Sequence, residues 1–195
     1  MLYIYKKNKQ NMGFKTNFLF STSFIVFLFT LMFPINVLFA SSTLKGMQLG
    51  DSDAPVKIIE YRSLRCGHCA DFSNDTFPKL KEKYIDNGIV NFEVRPFPLD
   101  SLDLIAFKVL HCVNESDFFA MDKILFKDQK KWNVMSQSDR IIENSTAALM
   151  NYAALFGISE EAFNACIEDD AITDFILNER IEGVEKYDVS STPTF

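Results

Sequence analysis

Residues 66 to 69 read Cys66-Gly67-His68-Cys69, and they follow an apolar run, Val56-Lys57-Ile58-Ile59-Glu60-Tyr61. An extended run that gives way to C-x-x-C puts the pair at a strand-to-helix turn. Two intervening residues let both sulfurs sit in one helical turn, close enough for a disulfide. The first cysteine falls at the helix N-terminus, where unpaired N–H groups and the positive end of the dipole stabilise a thiolate. The thiolate is the attacking species in thiol–disulfide exchange, so the pattern reads as a redox centre.

The segment ahead of it reads as an address. Lys6, Lys7, Lys9 and Lys15 precede a 22-residue apolar, Phe-rich stretch from Phe18 to Phe39, and no acidic residue occurs before Asp51. A basic front, an apolar core and the small residues Ala40-Ser41-Ser42 are the parts of a secretory signal. The stretch is also long enough to span a bilayer, although Pro34 interrupts it. Residues 1–40 are therefore read as a signal peptide or an N-terminal membrane anchor. Cleavage after Ser42 places Ala40 three positions back, a better fit than cleavage after Ala40. A start at Met12 would give a signal of more ordinary length. All of these imply export, with membrane contact only if residues 18–39 are retained.

Export bears on the four cysteines, because disulfides persist in oxidising compartments. The formal net charge is −6, and the four lysines of the leader leave about −10 on the remainder. That balance argues against nucleic acid as a partner, since binding it needs a basic face. It also argues against holding anionic lipid by charge. About 155 residues remain after the leader, enough for a domain with a sizeable core.

Residues 41–54 carry Gly46 and Gly50 and read as a tether. Pro55 opens a strand over Val56 to Tyr61. A helix follows from Cys66, with Phe77, Leu80 and Tyr84 on one face, Pro78 as a kink and Asn87-Gly88 as its stop. Ile89 to Val94 reads as a second strand, ended by Arg95-Pro96-Phe97-Pro98. From Leu102 to Val184 the pattern is helical. Leu102, Ile105, Ala106, Val109, Cys112 and Val113 form one stripe, Gly157 ends a helix and Ser159 caps the next. The chain returns toward strand at Ser191-Thr192-Pro193-Thr194-Phe195. Strands around a C-x-x-C helix and then a helical block suggest an α/β domain with a helical insertion.

These pieces together resemble the DsbA-type thiol:disulfide oxidoreductases, which have a thioredoxin-like fold with an inserted α-helical domain. The resemblance rests on Glu60 six residues ahead of Cys66, the redox pair, Phe77-Pro78-Lys79-Leu80, Arg95-Pro96-Phe97-Pro98-Leu99 and the Thr192-Pro193 loop about 125 residues after the pair. It implies thioredoxin-like parts at 55–99 and 187–195, with the insertion at 100–186. It implies Cys66 as nucleophile with the lower pKa, and Cys69 as the second thiol. His68 would stabilise the thiolate, and Pro193 would be a cis-proline beside which Thr192 offers its backbone to a bound peptide. Glu60 would exchange a proton with Cys69, aided by a pKa raised by burial, the alternative being a solvated strand-edge carboxylate. No cofactor is implied. The partners implied are reduced substrate proteins in the periplasm and a membrane partner that reoxidises the pair.

Gly67 departs from the family, which commonly has proline there. Cys-Gly-His-Cys is the form typical of protein disulfide isomerases, so isomerase or reductase activity stands beside oxidase activity. Cys112 and Cys166 fall on the apolar stripes of two helices. They read as a disulfide or as buried free thiols, and export with the resemblance favours a bond clamping the insertion. His111 reads as a satisfied helix histidine. A zinc site with Cys66, Cys69 and Cys112 would need a second spaced ligand pair, and His111 and Cys112 are adjacent. Trp132 reads as core, Glu168-Asp169-Asp170 as a solvated helix junction, and the sequons at Asn74, Asn114 and Asn144 as chance. The family fold continues beyond the Thr-Pro loop, so the sequence reads as truncated at Phe195. An inactive, membrane-anchored binding module is the reading that such a truncation would leave.

Overall fold

A computed structural model describes residues 44–133 and 140–195. The leader expected over 1–40 lies outside them. Among the described residues no helix is long and apolar enough to cross a membrane.

Strand β2 (Val56–Arg62) and strand β3 (Val90–Pro96) pair in parallel, with Val56 opposite Val90 and Arg62 opposite Pro96. Parallel neighbours need a crossover, and the helical segment after Cys66 supplies it. That segment is broken into α1 (Gly67–Asp71), a π-helical turn (Phe72–Thr76), α2 (Phe77–Leu80) and a second π-helical turn (Lys81–Ile85). Pro78 has no N–H to donate back along the helix, and wider turns lie on either side of its segment. β3 extends past the expected stop to Pro96, because Arg62 of β2 runs alongside it there.

The 41–54 segment, read from sequence as a tether, contains a third strand. β1 (Met47–Leu49) pairs antiparallel with β3, giving the order β1-β3-β2. Gly50 makes the exit. Its φ of 100° is unfavourable for other residues, and a Cβ there would lie 2.7 Å from the Val90 carbonyl oxygen.

β3 is the centre of the sheet, and Phe92 and Val94 are sealed in the main core. Each large apolar side chain so buried is worth about 1.5–3 kcal/mol. On the other face Glu93 is bonded to Lys57 at 2.5 Å and Arg95 at 2.6 Å, which keeps a buried carboxylate paired and its pKa low.

The insertion consists of α3 (Ser101–Cys112), a 3₁₀ turn (Glu115–Asp117), α4 (Phe118–Lys127), α5 (Gln129–Trp132), α6 (Ile141–Ala154), α7 (Glu160–Ile167) and α8 (Asp170–Tyr187). α3 packs against α4, α6, α7 and α8. It therefore buries Phe107 and Leu110 as well as Leu102, Ala106 and Val109, more than the single stripe expected. Gly157 takes a φ of 79° after α6, and the Ser159 hydroxyl accepts from Ala162 N–H at the start of α7. Asp169, in the acidic run, caps α8 by accepting from the N–H groups of Ala171 and Ile172. Trp132 is fully buried, and its indole donates to the Leu125 carbonyl at 2.8 Å.

Cys112 at the end of α3 and Cys166 near the end of α7 are joined as a disulfide, Cα atoms 6.1 Å apart. The neighbouring His111 is not the satisfied histidine expected. Its ring lies between Phe118 and Phe175, at 5.3 and 5.2 Å, and its buried Nε2 has no hydrogen-bond partner. Burial lowers its pKa from 6.5 to about 4.

Candidate active site

Cys66 caps the start of α1 with an extended backbone (φ −76°, ψ 125°), and its carbonyl accepts from Ala70 N–H at 3.1 Å. This geometry aims the first turn of α1 at the cysteine, as the strand-to-helix spacing predicts. Cys66 is part-exposed, whereas Cys69, one turn on, is fully buried. Burial pushes the Cys69 thiol well above the ordinary cysteine range, and the proximity of Cys66 raises it further.

The C-terminal loop closes over the pair. Thr194 and Tyr61 exchange two backbone hydrogen bonds, at 2.9 and 3.1 Å, which fastens the loop to β2. The Thr192–Pro193 peptide bond is cis. The Cys66 thiol donates to the Thr192 carbonyl at 3.2 Å. Cys66 and the Thr-Pro loop are thus in direct contact, 126 residues apart in sequence.

His68 lies on the outer side of α1, 89% exposed, with Nδ1 3.6 Å from an Asp71 carboxylate oxygen. Glu60 is fully buried, not a solvated edge residue. Its hydrogen bonds run to Arg62, which also donates to Asp122 at 2.6 Å and lies over the Phe92 and Phe126 rings. Burial raises the pKa of both carboxylates against the pull of the shared guanidinium. Glu60 Oε1 and Asp122 Oδ1 have no hydrogen-bond partner. The expected proton exchange between Glu60 and Cys69 is thus not supported by a direct bond.

The thioredoxin family model matches residues 42–195. The crystal structure of Wolbachia pipientis alpha-DsbA1 superposes with a TM-score of 0.68 at 36% identity, over 84% of this chain and 76% of that one. The chain belongs to the DsbA-like branch of the thioredoxin family. A Rickettsia bellii protein named "Putative protein-disulfide oxidoreductase" is 31% identical over 132 residues, 67% of this chain and 48% of its own length. The chain therefore spans about half the length of the curated relatives it matches. The protein-disulfide isomerase of Novosphingobium aromaticivorans shares the fold, with a TM-score of 0.70 at 22% identity over 76% of this chain and 84% of that one.

In this DsbA-like chain the turn Ser63–Cys66 is held by residues that sequence reasoning did not single out. Asp103 of α3 is completely buried and accepts from the Ser63 hydroxyl at 2.6 Å and from Leu64 N–H at 3.0 Å. Burial raises its pKa to about 6 against these hydrogen bonds. Gln129 of α5 donates to the carbonyls of Leu64 and Cys66. Arg65 is bonded to Asp100 and to Asn133. The signal available in the sequence was slight: Asp100 and Asp103 look like an ordinary N-cap and first-turn acid of a helix. Among the described residues no cluster of three or more His, Cys, Asp or Glu is arranged to hold a metal ion.

Proposed function

We propose that this protein is an exported thiol:disulfide oxidoreductase that introduces disulfides into secreted proteins through Cys66 and Cys69. The observation that supports it best is the asymmetry of the pair: a part-exposed Cys66 against the Thr192 carbonyl, with Cys69 sealed behind it. In the oxidised enzyme a substrate thiolate attacks Cys66 Sγ. The Cys66–Cys69 bond breaks, Cys69 leaves as a thiolate and takes a proton, and a mixed disulfide forms at Cys66. A second substrate thiolate then attacks the substrate sulfur and releases Cys66. The substrate loses two electrons and two protons, and the pair gains them. The high pKa of the Cys69 thiol suits it to hold that proton.

Thr192 presents its backbone beside Pro193 to the substrate segment, and His68, exposed on α1 between the two cysteines, offers a ring hydrogen-bond donor to the Cys66 thiolate. Glu60, with its raised pKa, would serve the proton balance of Cys69. A periplasmic location, reduced substrate proteins there and a membrane partner that restores the disulfide complete this reading.

The test is the reduction potential of the pair, titrated against glutathione with Cys112 and Cys166 replaced by Ala. The scale runs from about −120 mV for DsbA through about −180 mV for protein disulfide isomerase to about −270 mV for thioredoxin. A value at or above the isomerase figure is expected, and one near thioredoxin's would make the protein a reductase. In the same assay Cys66→Ser is expected to abolish exchange. Cys69→Ser is expected to retain Cys66 and accumulate the mixed disulfide.

A further inference from the structure

The turn that delivers Cys66 is closed by Cys66 N–H on the Ser63 carbonyl at 3.3 Å and by Arg65 N–H on the Ser63 hydroxyl at 3.1 Å, but Leu64 within it is held from outside. Leu64, fully buried, has its N–H on Asp103 Oδ1 at 3.0 Å and its carbonyl on Gln129 Nε2 at 2.9 Å. The same Gln129 nitrogen donates to the Cys66 carbonyl at 2.9 Å. Both side chains come from the helical insertion, Asp103 from α3 and Gln129 from α5. Both protons of the amide are thus committed to carbonyls of the turn. One of these, Cys66 C=O, is also the first acceptor of α1, through Ala70 N–H. Leu64 is fully buried, so its carbonyl, once abandoned by Gln129, would have no ready replacement partner.

We propose that Gln129 is a positioning residue for Cys66, through which the helical insertion sets the redox poise of the Cys66–Cys69 pair, with Asp103 holding the turn from the opposite side. The inference rests on the oxidoreductase reading above. The amide fixes the Cys66 peptide, and with it the position of Sγ against the helix N-terminus and the Thr192 carbonyl. It also points a positive dipole end at that peptide. Both effects favour the thiolate, and a stabilised thiolate makes the disulfide a stronger oxidant. A residue that merely packed the core would change stability without changing the potential.

The experiment uses the full chain and compares wild type with Gln129→Leu, Gln129→Glu and Ile176→Val. Each is equilibrated with glutathione at pH 7.5 and 5.5, and its stability is measured in urea. Ile176 is buried in α8, and its side chain has no group that could hydrogen-bond the turn. Gln129→Leu is expected to shift the equilibrium with glutathione roughly tenfold toward the enzyme disulfide, which is about 30 mV more reducing. Ile176→Val is expected to lose stability and keep the wild-type potential. Gln129→Glu is expected to match Gln129→Leu at pH 7.5, where a carboxylate faces two carbonyl oxygens. At pH 5.5, once protonated and able to donate again, it is expected to move back toward wild type. Should Gln129→Leu fail to fold, this pH reversal decides. A wild-type potential in Gln129→Leu, an unreversed Gln129→Glu, or an equal shift in Ile176→Val would overturn the inference. A wild-type chain with no exchangeable couple would instead sink the oxidoreductase reading, and this inference with it.

Discussion

Gly67 is the first residue of α1, and a Cβ built there meets nothing within 4 Å. Cys66 before it has the extended backbone that a residue ahead of proline prefers. The first helical position also tolerates the missing N–H. Gly67→Pro is therefore expected to raise stability by about 0.4–1 kcal/mol, by restricting the unfolded chain, and calorimetry would register this as a higher Tm. Arg62 is a harsher case. It is 1% exposed and the shared partner of Glu60 and Asp122. Arg62→Met leaves two buried carboxylates without a cation and is expected to cost about 3–5 kcal/mol in urea denaturation. Adding Glu60→Gln and Asp122→Asn to the same chain should recover a large part of that loss.

Among the elements, the disulfide between α3 and α7 closes a separation of 54 residues. In the chain-entropy account, replacing both Cys112 and Cys166 by Ala should cost up to about 4 kcal/mol, read as a lower urea midpoint under oxidising conditions. The elements also show which parts of the fold were readable from sequence. The β2–α1 junction was legible because strand period, helix start and C-x-x-C spacing are local properties. β1 was not, since three residues between two glycines acquire strand character only by pairing with β3. Cys66 and Cys69 could be read from the chemistry of their spacing, and Thr192-Pro193 from the family resemblance. Gln129 and Asp103 could not, because their role arises from contacts 63–65 and 39–40 residues away in sequence. His111 was misjudged because two aromatic rings, and not a hydrogen-bond partner, occupy its surroundings.

For the whole molecule, stability against pH is a sum of opposed titrations. His111 has a folded pKa of about 4, below its unfolded 6.5, so the unfolded chain binds the proton first. Its effect is a loss of stability as pH falls from 6.5 to 4, on the order of 3 kcal/mol. Asp103 has a folded pKa of about 6, above its unfolded 3.8, so its penalty at neutral pH is relieved as pH falls through the folded value. Glu60 and Asp122, also raised, act in the same sense as Asp103. His111→Leu removes one side of this balance. Relative to wild type, its stability should improve steadily between pH 6.5 and 4, whatever its packing cost at pH 7.5, and urea denaturation at several pH values would trace it.

The Cys112–Cys166 bond has a mechanical consequence. Pulled from its ends, the oxidised chain cannot pay out the residues between the two cysteines, about 190 Å of contour at full extension. Gln129 lies inside that locked length and Asp103 outside it. Under load, Asp103 can be stripped from Leu64 by ordinary chain extension. Gln129 can leave only if the closed loop moves as one body, so the N–H and the C=O of Leu64 should let go at different forces.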